Sequence, residues 1–115
     1  MVTDKNNNSI LNNELQHYIE KNIFPSYKRS DLGHSLDHIK HVIDRSLKFA
    51  KENNLDVDYN MVYVIAAYHD IGHYIDAKNH EQVSSEILSK DNFINSLFSE
   101  EEMKIMVEAV VDHRA

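Results

Sequence analysis

At 115 residues the chain has room for one small domain with a single hydrophobic core. Hydrophobic residues at 42% and charged residues at 27% exclude a wholly disordered chain, and no apolar run is long enough to span a bilayer. A formal net charge of −7 without a basic cluster argues against duplex nucleic acid as a partner, and the absence of cysteine excludes disulfides and thiolate metal sites.

The N-terminus, Met-Val-Thr-Asp-Lys-Asn-Asn-Asn, lacks a signal-peptide core, so a cytoplasmic protein is expected. Only two Gly and one Pro punctuate the chain, too few for the turns of a sandwich or barrel. After a polar lead-in, Ser9 can cap a first helix carrying Leu11, Leu15, Tyr18, Ile19 and Ile23, which is expected to stop before Pro25. Ser26 to Gly33 read as polar or turn-forming. Ser35 or Asp37 then opens a second helix whose Ile39, Val42, Ile43, Leu47, Phe49 and Ala50 are expected to face a core, with Lys48, Lys51 and Glu52 outside and Asn53-Asn54 at its end.

Asp56 or Asp58 caps a central helix that is apolar on nearly every face from Met61 to Tyr68 and must therefore lie inside a bundle. Gly72 breaks it. A short polar loop leads to Asn79, which with Gln82 resembles a capping box opening a helix through Val83, Ile87 and Leu88. Phe93, Ile94, Leu97 and Phe98 fit a short closing helix. Ser99 and Glu102 form a stronger capping box ahead of Met103, Met106, Val107, Val110 and Val111. The pattern predicts an all-α bundle of about five helices forming one domain over residues 1–115.

Eight histidines are present, seven of them between His34 and His113. At the end of the buried central helix, His69-Asp70 delivers an imidazole and a carboxylate side by side, the donor pair a divalent metal asks for. His38 can join them if the second and central helices pack antiparallel. His34 and His41 lie one turn on either side of His38 and read as surface or supporting groups. His17 reads as solvated. Tyr63, Tyr68 and Tyr74 could line a pocket, although a tyrosine in a buried helix is usually core with its hydroxyl paired.

His38-Ile39-Lys40-His41-Val42, followed by Ala66-Ala67-Tyr68-His69-Asp70-Ile71-Gly72, resembles the HD-domain superfamily of metal-dependent phosphohydrolases. The resemblance runs from about Gly33 to the C-terminus. It implies that His38, His69 and Asp70 bind a divalent ion (Mn, Mg, Fe, Ni, Co or Zn), with Asp70 also orienting the attacking water. The family's last Asp ligand usually lies beyond the helix ending here at Val111-Asp112-His113. Either the chain is a shortened form lacking C-terminal helices, the reading preferred, or Asp112 takes that role. His80 and His113 match places where relatives with two metals carry further ligands, and His80 equally suits a substrate contact. His73 stands where many relatives have a phosphate-contacting Lys, so it enters the catalytic set, while Lys78 or Arg114 could supply the missing positive charge.

The resemblance thus implies hydrolysis of a small phosphorylated molecule, a nucleotide by family analogy, with no nucleic-acid duplex or membrane as partner and with self-association allowed. The alternative is a regulatory or binding helical module whose incomplete ligand set supports little turnover. A third reading has His69 and Asp70 paired with each other or with backbone in a helical dimerisation unit.

Overall fold

The computed structural model describes residues 11–28, 34–53, 57–72 and 78–111. Helix α1 (Asn13–Tyr18) starts at Asn12, whose side-chain oxygen accepts a hydrogen bond of 3.1 Å from the Leu15 N–H. Ser9, expected to cap it, lies outside the described residues. Against expectation the helix does not stop before Pro25. It widens into a π-helical segment (Ile19–Ile23) and continues as α2 (Phe24–Lys28). Pro25 has no N–H to donate and its ring crowds the carbonyl one turn back. The wide turn, in which the Phe24 N–H reaches the Ile19 carbonyl five residues earlier, accommodates both problems. It also shifts the phase, so that Ile23, Phe24 and Tyr27 face the same core as Leu15 and Ile19.

Helix α3 (His34–Glu52) buries Leu36, Ile39, Ile43 and Ala50. Asn53 ends it, its backbone N–H and side-chain amide both donating to the Phe49 carbonyl. Phe49 is a correction: it is 61% exposed. At about 100° per residue the position beside an inward Ala50 is carried well off the buried stripe, which hydrophobicity alone does not reveal.

Helix α4 (Tyr59–Tyr68) is capped by Asp58, which accepts from the Asn60 N–H at 2.8 Å; Asp56 lies outside the described residues. Tyr63, Val64, Ala66, Ala67 and Tyr68 are all buried, and α4 packs against α3 and the π segment as well as the two longer helices that follow. Those are α5 (His80–Ser89) and α7 (Glu100–Val111), with short α6 (Asn92–Leu97) between them. The capping box expected at Asn79 and Gln82 is not made. Asn79 sits at φ −115°, ψ 33° rather than in the extended conformation that turns a capping side chain back onto the helix, and it makes no side-chain cap bond. The Ser99–Glu102 box is made in both directions, Ser99 N–H to Glu102 Oε1 at 2.9 Å and Glu102 N–H to Ser99 Oγ at 3.1 Å. Met103, Met106 and Val110 complete the core. The fold is all-α; among the described residues no strand is present and no helix is long and apolar enough to cross a membrane.

Asp91 ties three elements together. Its carboxylate caps α6 through the N–H groups of Phe93 and Ile94, and it accepts the hydroxyls of Tyr18 on α1 and Tyr68 on α4 at 2.8 and 2.6 Å. Asp91→Ala removes a helix cap and strands a buried tyrosine hydroxyl, so it is expected to destabilise by about 3 kcal/mol. Denaturant titration reads this, and a loss under about 1 kcal/mol would contradict the network's importance.

The tyrosines also set an alkaline limit. Burial raises the Tyr18 and Tyr63 hydroxyls from 10.0 to about 12, and those of Tyr27 and Tyr68 in the same direction. Each proton is held more tightly folded than unfolded. The contribution of Tyr18 and Tyr63 to stability is therefore complete below the unfolded value of 10.0 and is lost as pH rises from there through about 12. The melting temperature should fall above about pH 10, less steeply in Tyr68→Phe; a flat profile to about pH 11 would refute this.

Candidate metal centre

The centre is built where α4 ends. The last carbonyls of a helix have no intrahelical partner. Here the Ala66 carbonyl meets His69 Nδ1 at 2.6 Å, the Ala67 carbonyl meets the Tyr27 hydroxyl at 2.7 Å, and the Tyr68 carbonyl meets the Ile71 N–H at 3.1 Å. A carbonyl oxygen only accepts, so His69 Nδ1 carries the proton and Nε2 presents its lone pair outward. That is the tautomer and orientation a metal-ligating imidazole takes when its other nitrogen is anchored.

His69 Nε2 lies 3.8 Å from Asp70 Oδ2. Because α3 packs along α4, His38 arrives from the other helix, its ring centroid 6.4 Å from that of His69 with the planes 57° apart. One ligand atom from each of His38, His69 and Asp70 lies within 4.8 Å of the other two. An ion bound at about 2.0–2.2 Å from nitrogen and oxygen could span the 3.8 Å pair, and His38, exposed on α3, would be the third donor. Two imidazoles and one carboxylate suit a first-row divalent ion better than an all-oxygen magnesium cage. The donor set fits a metal.

His80, at the start of α5, comes in from the other side, with Nε2 3.2 Å from Asp70 Oδ1 and 3.7 Å from Glu81 Oε2. It is held there by the turn after α4, where the Gly72 N–H donates to the buried Ser84 hydroxyl at 2.8 Å. Lys78 is exposed in the turn just before α5. His41 on α3 and His17 on α1 are exposed and lie outside the cluster of three, while the His34 side chain lies outside the described residues. So do His73, Tyr74, Asp112, His113 and Arg114. Tyr63 and Tyr68 are buried, and Tyr68 spends its hydroxyl on Asp91, as core tyrosines do.

A family model described as HD domain matches residues 35–114. The chain belongs to the HD domain family. The matched span holds the His69-Asp70 doublet, His38 and His80, and leaves α1, the π segment and α2 outside it. An uncharacterized protein of Clostridium beijerinckii is similar to this HD domain, at 31% identity over 111 residues, 93% of this chain and 70% of the relative. No solved structure matches.

Among the described residues, Tyr27 is one at this HD doublet that sequence reasoning missed. It stands in a stretch read as polar and turn-forming, two residues past a proline expected to end the helix. Because the helix continues through Pro25, Tyr27, four residues after Ile23, falls on the same buried stripe.

Proposed function

We propose that this HD domain is a cytoplasmic metal-dependent phosphohydrolase acting on a small phosphorylated molecule, with a nucleotide as the favoured class. The observation that carries the reading is the gathering of His38, His69 and Asp70, from two helices, with His69 Nδ1 already committed to the Ala66 carbonyl. His38, His69 and Asp70 would hold a divalent ion, which would supply Lewis acidity toward a phosphate oxygen and lower the pKa of water so that hydroxide is available near neutral pH.

The chain's own groups do the rest. His38 and His69 offer imidazole nitrogens, and Asp70 offers Oδ2 on the His69 side while Oδ1 faces His80. Asp70 is thereby placed to orient the attacking water. His80, whose Nε2 faces Asp70 and Glu81, is the imidazole of this set assigned to contact substrate. Lys78, exposed ahead of α5, supplies a positive charge for phosphate in a chain whose net charge is −7.

The test is phosphate release from a panel of nucleotides, sugar phosphates and phosphodiesters by purified protein loaded in turn with Mn, Mg, Fe, Ni, Co and Zn. Metal-stimulated hydrolysis of at least one compound, lost with a chelator, is expected. Tight metal binding without turnover across the panel would replace the enzyme with a regulatory module, and absence of metal binding would remove both.

A further inference from the structure

Beyond the three donors, the backbone that carries Asp70 is itself held by a group from a distant part of the chain. Tyr27 is 3% exposed, and its hydroxyl sits between two backbone groups of the doublet. It donates to the Ala67 carbonyl at 2.7 Å and accepts from the Asp70 N–H at 3.3 Å. We propose that Tyr27 is a positioning residue for the metal centre, its hydroxyl setting the backbone from which the Asp70 carboxylate is aimed at His38 and His69. The inference rests on the metal-centre reading of those three side chains.

Three observations support it. The carbonyls of the last turn of α4 are taken one by one, Ala66 by the ring of His69 and Ala67 by the Tyr27 hydroxyl, which in turn accepts from the Asp70 N–H. Asp70 follows the helix rather than lying within it, so no intrahelical ladder fixes its N–H; the tyrosine oxygen takes that place. Finally, Tyr27 is buried, so water competes little for either bond. The segment supplying this hydroxyl, α2, precedes the stretch matched to the HD family. The π segment joins α1 to this α2, and Tyr27 is buried with Ile23 and Phe24.

Tyr27→Phe keeps the ring that fills the core and removes only the hydroxyl. Tyr68→Phe is the matched control, since it also deletes a buried tyrosine hydroxyl but one bonded to Asp91. Mn2+ titration followed by electron paramagnetic resonance of the free ion, with folding checked by far-UV dichroism, should show an affinity about tenfold weaker in Tyr27→Phe and within about twofold of wild type in Tyr68→Phe. Equal losses in both variants would mean general loosening and would overturn the proposal, as would unchanged affinity in Tyr27→Phe. Wild-type protein that binds no Mn2+ would instead sink the metal-centre reading itself. Should Tyr27→Phe not fold, amide exchange of wild-type protein decides: the Asp70 N–H must be protected, and exchange at the rate of an open turn would overturn the assignment.

Discussion

Asp70→Ala should abolish divalent-metal binding and phosphate release together while leaving the helical fold in place. The side chain is 29% exposed and serves no helix cap, so its removal takes little from the core. What it takes is the only carboxylate of the three-residue cluster, the group whose Oδ2 faces His69 Nε2 and whose Oδ1 faces His80 Nε2. Residues that merely orient a ligand change metal affinity by about 10- to 100-fold, so loss of a ligand should weaken binding at least on the order of 100-fold. Stability in the absence of metal should stay within about 1 kcal/mol of wild type, as for other partly exposed ion pairs. Metal titration beside a denaturant curve separates the two effects. A variant that keeps both metal and activity would show that Asp70 is not a ligand, and one that simply unfolds would make it a structural group.

Gly72→Ala should be a costly single-methyl change. A Cβ built at Gly72 stands 2.7 Å from Val83 Cβ and 2.8 Å from the Ser84 backbone nitrogen, and a helix backbone cannot give way as a flexible side chain can. The same movement stretches the Gly72 N–H to Ser84 Oγ bond, which is buried. Overpacking of this kind costs about 1–3 kcal/mol, and a strained buried hydrogen bond puts Gly72→Ala at the upper end. The melting temperature should drop on the order of 10 °C. Because the turn that Gly72 closes also sets α5 against α4, the distance between His80 and Asp70 should open too, so metal-dependent activity falls further than stability alone predicts. A melting temperature within about 2 °C of wild type would show that the turn can shift at little cost.

The need for glycine at this place is of a different kind from a left-handed turn. It comes from the approach of two elements, one ending at Tyr68 and the other starting at His80, and nothing local to Ile71-Gly72 announces it. The same division runs through the molecule. The Ser99–Glu102 box and the Asp58 cap are made by residues within one turn of each other, so their residue types at fixed spacing were enough to locate two helix starts. The fully apolar run Met61 to Tyr68 announced a buried helix because no exposed face was available to it. Asp91, by contrast, reads as one polar residue between two helices. That it gathers hydroxyls from Tyr18 and Tyr68 depends on which helix surfaces meet.

Of the candidate site, the sequence alone determined the doublet. His69 and Asp70 are neighbours at the end of a segment that must be buried, and both facts are properties of a few consecutive residues. That His38 stands beside them, that His80 reaches Asp70 from the far side, and that a tyrosine from the first helix holds the Asp70 backbone were decided only by tertiary structure. The reason is one of range. Caps, helical periods and adjacent ligands are short-range and repeat in any copy of the same local sequence. The partners of a helix's last carbonyls are chosen by how buried faces pack, and a wide turn at Ile19–Ile23 that carries the helix on through Pro25 brought in a partner that a helix ending before the proline would have left out.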